Sequence, residues 1–175
     1  LFRSNEEWTL GTETHHMSNW PYRLWNIEKH YHTIGGSGAG GVGYNAPGAL
    51  GAALANKDRG RITVFMNGDG DLLMSPGVLW TAAHHRLPIL YVVHNNRAYH
   101  QEWMHLQLMA QRHERGMEAA KIGCVIEDPH IDFANLAKSF GVYSEGPIDN
   151  PRDLGPALAR AVAVVKKGLP ALVDV

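Results

Sequence analysis

The sequence runs to 175 residues, 45% of them hydrophobic, which suffices for one substantial core, and nothing in it marks a second domain. A formal net charge of -1 without a basic run leaves no electrostatic footprint for nucleic acid, and no apolar stretch approaches the roughly 20 residues needed to span a membrane. The lone Cys124 excludes an internal disulfide and reads as a small core residue, so a reducing, cytoplasmic setting is the expectation.

The chain opens on Leu1 rather than Met and carries no charged-then-apolar leader. The expectation is therefore a single domain over 1–175 belonging to a longer multidomain chain, with 1–34 as a lead-in. In the lead-in, Trp8-Thr9-Leu10 suits a strand, and residues 20–27 suit a helix after the Ser18-Asn19 cap and Pro21. His15, His16, His30 and His32 gather near a glycine-rich segment, but no Cys or carboxylate stands at a zinc-binding spacing. Each is a candidate for lining a site or for ordinary packing.

In Gly35-Gly36-Ser37-Gly38-Ala39-Gly40-Gly41, three glycines (Gly36, Gly38, Gly41) satisfy the dinucleotide pattern G-x-G-x-x-G. That fingerprint needs a hydrophobic strand directly before it, and residues 29–34 make a poor one. In any reading these glycines permit a ligand to approach the backbone closely.

Two short apolar runs follow, Ile62-Thr63-Val64-Phe65-Met66 and Ile89-Leu90-Tyr91-Val92-Val93, which read as buried parallel strands. The first leads into Gly68-Asp69-Gly70 and the second into Asn95-Asn96, with 24 residues between the two motifs. Between them Ser75 can cap a helix with Pro76 at its first position, and Val78, Leu79, Ala82 and Ala83 recur at helical spacing. A parallel crossover returns the chain to the same edge of the sheet, so Asp69 and Asn96 both emerge at the carboxyl ends of their strands and can face one ligand. A carboxylate and an amide carbonyl are hard oxygen donors. They are too few to saturate a metal but suit Mg²⁺, which draws its remaining ligands from phosphates and water. The alternative is two unrelated turns after core strands, since Gly, Asp and Asn are common turn residues.

Beyond Asn96 the sequence predicts a helix to about Arg112, then a mostly looped stretch over 112–130 that can cover a site. From Asp132 a helix places Phe133, Leu136, Ala137 and Phe140 on one face and stops at Gly141, followed by a short strand at Val142-Tyr143. A second helix runs from cap Asn150 and Pro151 to Gly168, and Ala171-Leu172-Val173-Asp174-Val175 closes as a strand. Strands and helices in alternation give a doubly wound α/β domain with a mostly parallel sheet and helices on both faces.

Gly-Asp-Gly, about two dozen residues and then Asn-Asn, set at the ends of strands, resembles the diphosphate-binding domain of thiamine diphosphate-dependent enzymes. Gly41-Val42-Gly43-Tyr44 with Pro47-Gly48-Ala49-Leu50-Gly51-Ala52-Ala53 is similar to that family's glycine-apolar-glycine-aromatic turn and small-residue helix. The later segments look most like the acetolactate synthase and benzoylformate decarboxylase branch. The resemblance implies that Asp69, Asn96 and the main-chain carbonyl of Ala98 bind Mg²⁺, with Gly68, Gly70, Asp71 and Tyr99 around the diphosphate. It implies that Val42 is the apolar wedge under the cofactor and that the Gly40 carbonyl, beside Gly41, holds its aminopyrimidine. Val42 packing in the core is the ordinary alternative. His100 and Glu102 match the segment facing the reacting carbon and become candidates for proton transfer, against the alternative of exposed polar residues on an amphipathic helix.

The same resemblance implies a 2-oxo acid substrate, decarboxylated or joined to an acceptor. It also implies a pyrimidine-binding domain, from this or a neighbouring chain, that supplies a glutamate, and a homodimer or homotetramer. Two other readings stay open at this point. One is a nicotinamide-dependent oxidoreductase, resting on the glycine cluster. The other is a non-catalytic or split-subunit cofactor-binding module, resting on the short length.

Overall fold

The protein is described from a computed structural model covering residues 7–12, 20–36 and 41–175. Five strands, β1 (Trp8–Gly11), β2 (Ile62–Gly68), β3 (Ile89–His94), β4 (Tyr143–Glu145) and β5 (Ala171–Asp174), form one parallel sheet in the order β1-β2-β3-β5-β4. The helices are α1 (Trp20–Leu24), α2 (Asn45–Asn56), α3 (Asp69–Leu73), α4 (Val78–His84), α5 (His100–Arg112), α6 (Phe133–Ser139) and α7 (Pro151–Val165). None of them is long and apolar enough to cross a membrane.

The layering follows from the handedness of parallel crossovers. The chain advances from β1 through β2 to β3, passes to the far edge at β4, and steps back to β5. Right-handed connections put helices on one face while the chain advances and on the other when it reverses. Accordingly α2, α4 and α6 pack on Phe65, Tyr91 and Leu172, whereas α7 packs on Val64, Leu90 and Val173 from behind. Register agrees with this split: Phe65 pairs with Tyr91 and Tyr91 with Leu172, so one face of the sheet presents one continuous apolar row. The doubly wound α/β fold expected from the sequence is the one observed.

Caps with local signals form where the sequence places them. Asp132 accepts from Asn135 N at 2.7 Å at the start of α6, and Asn150 accepts from Arg152 N at 3.1 Å at the start of α7. Other local expectations are corrected. Ser75 is not a helix cap, because α4 starts at Val78 and Ser75 only receives the Val78 N–H on its carbonyl. The turn there is set by the end of α3, a short helix with no periodic signal of its own. The first helix ends at Leu24 rather than residue 27, and its Ser18-Asn19 cap lies outside the described residues. The fourth strand is Tyr143–Glu145, with Val142 buried in the core just before it.

The lead-in also resolves. β1 is a full edge strand, with Trp8 and Leu10 in the core beneath α7. His32 is buried there, stacked on the Trp8 ring with centroids 4.5 Å apart, and His30 is exposed. His15 and His16 lie outside the described residues. The strand that a dinucleotide fingerprint needs before residues 36–41 is reduced to a single bridge between Leu10 and Thr33.

Candidate functional site

The carboxyl ends of β2 and β3 are level, because Gly68 pairs with His94. Each strand then leaves the sheet differently. After Gly68 the chain turns at once into α3, so Asp69 sits at the start of that helix and is 1% exposed. After His94, Asn95 is tied to the last strand: its N–H donates to the Val175 carbonyl at 2.8 Å and its Nδ2 to Asp174 Oδ1 at 3.0 Å. Asn96 is thereby turned outward. Its Oδ1 accepts the Ala98 N–H at 3.1 Å across Arg97, which has φ 58°. The Asn pair thus divides its work, one anchoring the segment to the sheet and the other facing the site.

The segment from Arg97 to Tyr99 is braced on its outer side. Ile126 N donates to the Arg97 carbonyl and Tyr99 N to the Cys124 carbonyl, both at 2.7 Å. The loop over 112–130 thus acts as a brace beside the Asn96 turn, and none of its residues lines the cleft described next.

Between these elements lies a cleft of about 390 Å³. Residues from Asn67 to Asp71 form one wall; His94, Asn96, Ala98 and Tyr99 form the second; His100, Gln101, Glu102, Met104 and His105 on α5 form the third, and Val42 reaches in opposite them. Val42 is 37% exposed, so it is not absorbed into core packing. Gly41 is exposed and outside the lining, and Gly40 lies outside the described residues. Every other residue that the family resemblance assigned to the site lines this cleft. The site histidines are His94, His100 and His105, not the two described ones from the lead-in.

Asp69 dominates the electrostatics. Both carboxylate oxygens are buried and neither makes a hydrogen bond of ordinary geometry with a described residue. Burial pushes its carboxyl above the usual range, and the nearby amides of Gly70, Asp69 and Arg97, with His94, offset this only in part. A buried carboxylate in this condition is neutralised by a proton or by a cation. Asn96 and the Ala98 carbonyl bring further hard oxygens to the same cleft. No cluster of three His, Cys, Asp or Glu occurs among the described residues. The donor set therefore fits a Mg²⁺ ion that takes its other ligands from phosphate and water.

Two neighbours of Asp69 have duties that the motif does not reveal. Asp71 is buried and its Oδ1 accepts the Gly43 N–H at 2.7 Å, which ties the Val42 turn to α3. Gly43 has φ 91°, and a Cβ there would sit 2.7 Å from Met74 Cβ, so the turn admits only glycine. Gly70 makes room for a side chain: a Cβ would lie 2.5 Å from Tyr99 Cε1, and Tyr99 OH donates to the Gly70 carbonyl at 3.4 Å. Burial, reinforced by Asp69, Glu102 and Asp71, raises the Tyr99 phenol above its ordinary value. At Gly68, by contrast, a Cβ would meet nothing within 4 Å, which leaves open space where a ligand can approach the backbone.

Comparison with known families decides the relationship. Residues 14–175 match the thiamine pyrophosphate enzyme, C-terminal TPP binding domain. The chain belongs to that family. It is 29% identical over 121 residues to the chloroplastic acetolactate synthase of Arabidopsis thaliana, covering 69% of this chain and 16% of that protein. It is 31% identical over 104 residues to benzoylformate decarboxylase of Pseudomonas aeruginosa, covering 59% of this chain and 18% of that one. The chain therefore spans less than a fifth of the length of these curated relatives. Among solved structures, the thiamine diphosphate-dependent 4-hydroxybenzoylformate decarboxylase of Rhodococcus jostii RHA1 shares the fold with a TM-score of 0.76 at 23% identity, over 97% of this chain and 29% of that one.

Within a TPP-binding domain, the cleft residues that motif reading missed are Asn67, His94, Gln101, Met104 and His105. Those on α5 carry a usable signal, because Met104 and His105 lie three and four residues beyond Gln101, on the same face of a helix that opens at His100. Asn67 and His94 carry none, since single residues at strand ends show no period.

Proposed function

We propose that this chain is the diphosphate- and Mg²⁺-binding domain of an enzyme that uses thiamine diphosphate to decarboxylate or join 2-oxo acids. The observation that carries the reading is the Asp69 carboxylate, buried at the mouth of β2 with neither oxygen in a hydrogen bond of ordinary geometry among the described residues, in one cleft with Asn96 and Ala98. Asp69, Asn96 and the Ala98 carbonyl hold the Mg²⁺. Gly68, Gly70, Asp71 and Tyr99 shape the diphosphate end, while Val42, in the turn before α2, is the apolar support for the cofactor rings. When bound, thiamine diphosphate supplies the electron sink for the bond beside the keto group. His100 and Glu102, on the α5 wall, hold and move the proton on the substrate side.

A pyrimidine-binding domain and a homodimer or homotetramer belong to the same proposal. It is supported by α5, which has no buried residue and exposes Met104, Leu106, Leu108 and Met109. A cytoplasmic setting is proposed from the free, buried Cys124.

The test is ligand-dependent stability. Thiamine diphosphate and Mg²⁺ together should raise the melting temperature where neither alone does so fully, through a stabilisation of about 2.7 kcal/mol at 100 times the dissociation constant. No shift at saturating cofactor and metal, with the pyrimidine domain present, rules the reading out.

A further inference from the structure

Asn67 is a buried amide in a cross-strand row that continues through the apolar Val93 to the buried Asp174. It pairs with Val93 and lies on the face of β2 that carries Phe65, where the adjoining positions Tyr91, Val93 and Leu172 are core. A side-chain amide in such a row needs a hydrogen-bonding reason to be there. One end of the amide is accounted for, since Gly68 N donates to Asn67 Oδ1 at 3.0 Å. That bond fixes the orientation of the amide and leaves Nδ2 as the free donor. Asn67 is 1% exposed, and Nδ2 is buried and reaches no acceptor among the described residues. The side chain lines the same cleft as Asp69.

Two residues apart, then, the site holds an unmatched buried donor and an unmatched buried anion. A cation satisfies Asp69 but not the Asn67 N–H. What suits the N–H is an anionic oxygen brought in by that cation, and under the function proposed above the group with such oxygens is the diphosphate. We propose that Asn67 Nδ2 donates a hydrogen bond to a diphosphate oxygen of the bound cofactor, which makes Asn67 a binding residue of this site alongside Asp69 and Asn96. The inference rests on that functional reading and adds a contact that the Gly-Asp-Gly motif does not contain.

The experiment is calorimetric titration of the full-length protein with Mg²⁺ alone, with Mg²⁺ and inorganic diphosphate, and with Mg²⁺ and thiamine diphosphate. The proteins compared are wild type, Asn67→Ala and Asn67→Asp. Asn67→Asp keeps the acceptor for Gly68 N and the side-chain size while replacing the donor with an anionic oxygen, so it remains informative if Asn67→Ala folds poorly. Loss of a hydrogen bond to a charged group corresponds to roughly a tenfold to hundredfold weaker affinity. That loss is expected in Asn67→Ala for both diphosphate ligands, with a larger one in Asn67→Asp and little change for Mg²⁺ alone. Unchanged diphosphate affinity in both variants, with wild type binding normally, overturns the inference and leaves the proposed function standing. A loss confined to Mg²⁺ alone also overturns it, since Asn67 would then act on Asp69. Failure of the wild type to bind thiamine diphosphate overturns both.

Discussion

The N–H of Gly43 donates to Asp71 Oδ1 at 2.7 Å, a buried bond that spans 28 residues of sequence. It fixes the height of the turn carrying Val42 relative to α3 and the carboxylate of Asp69. Asp71→Ala leaves the Gly43 N–H buried without an acceptor, and a destabilisation of about 1–3 kcal/mol is expected. Asp71→Asn retains an acceptor and should lose much less. Urea denaturation of the two variants checks this, and equal losses would show that charge rather than the Gly43 bond is what Asp71 contributes.

Gly70 and Tyr99 form a fitted pair. A methyl group at Gly70 collides with the Tyr99 ring, so Gly70→Ala should destabilise by about 1–3 kcal/mol through overpacking. Truncating the ring removes the collision, and Gly70→Ala/Tyr99→Ala should be less destabilised than the sum of the single variants. A double-mutant cycle by thermal melting measures the coupling. Strict additivity would break the link between these residues.

Asp69→Asn should separate folding from binding. Burial raises the Asp69 carboxyl, so its ionised form is costly in the metal-free protein at neutral pH. The amide removes that cost. The variant is expected to melt at a higher temperature than wild type without metal, and to gain nothing from Mg²⁺ with thiamine diphosphate. Calorimetry of both proteins with and without ligands reads both effects, and a variant less stable than wild type in metal-free buffer contradicts the account of Asp69.

Asp174 gives a pH dependence of defined sign. It is buried, and desolvation, joined by the charges of Asp132 and Asp69, raises its carboxyl against the bond from Asn95. Between the unfolded value and the raised folded value, the native state binds more protons than the unfolded state. The Asp174 contribution to stability therefore falls as pH rises through that window and stays lower above it. Asp174→Asn should lack this fall, so the difference in stability between variant and wild type should shift in the variant's favour from pH 3.8 upward. Denaturation midpoints across acidic to neutral pH provide the comparison, and parallel curves would show that Asp174 does not titrate in this way.

Glu102 lines the cleft from the first turn of α5, six residues beyond Asn96 and outside the metal-binding set. Glu102→Gln keeps the shape and removes the ionisable group. Turnover should drop while thiamine diphosphate affinity stays within about twofold, since proton transfer contributes roughly 100-fold or more where it operates. Equal turnover in the two proteins would return Glu102 to the role of an exposed helix residue.

The sequence by itself determined the strand-helix alternation, the parallel class of the sheet and the convergence of Asp69 and Asn96. Those features depend on apolar periods and on the geometry of one crossover, both of which are local. The cap at Asn150 was legible for the same reason, because its oxygen meets an N–H two residues away, and so was the start of a helix at Asp132. Tertiary structure decided the rest. Whether Gly70 serves a ligand or the Tyr99 ring depends on how the segment after β3 folds back over α3, and Asp71 finds Gly43 only once α2 is docked on the sheet. The division of the Asn pair required β5, whose Asp174, with Val175 just beyond it, holds Asn95 and turns Asn96 outward. His32 near the glycines went to the core while His94 and His105 reached the cleft. Proximity in sequence does not reveal which side of a sheet, or which end of a strand, a side chain will face until the strands are paired.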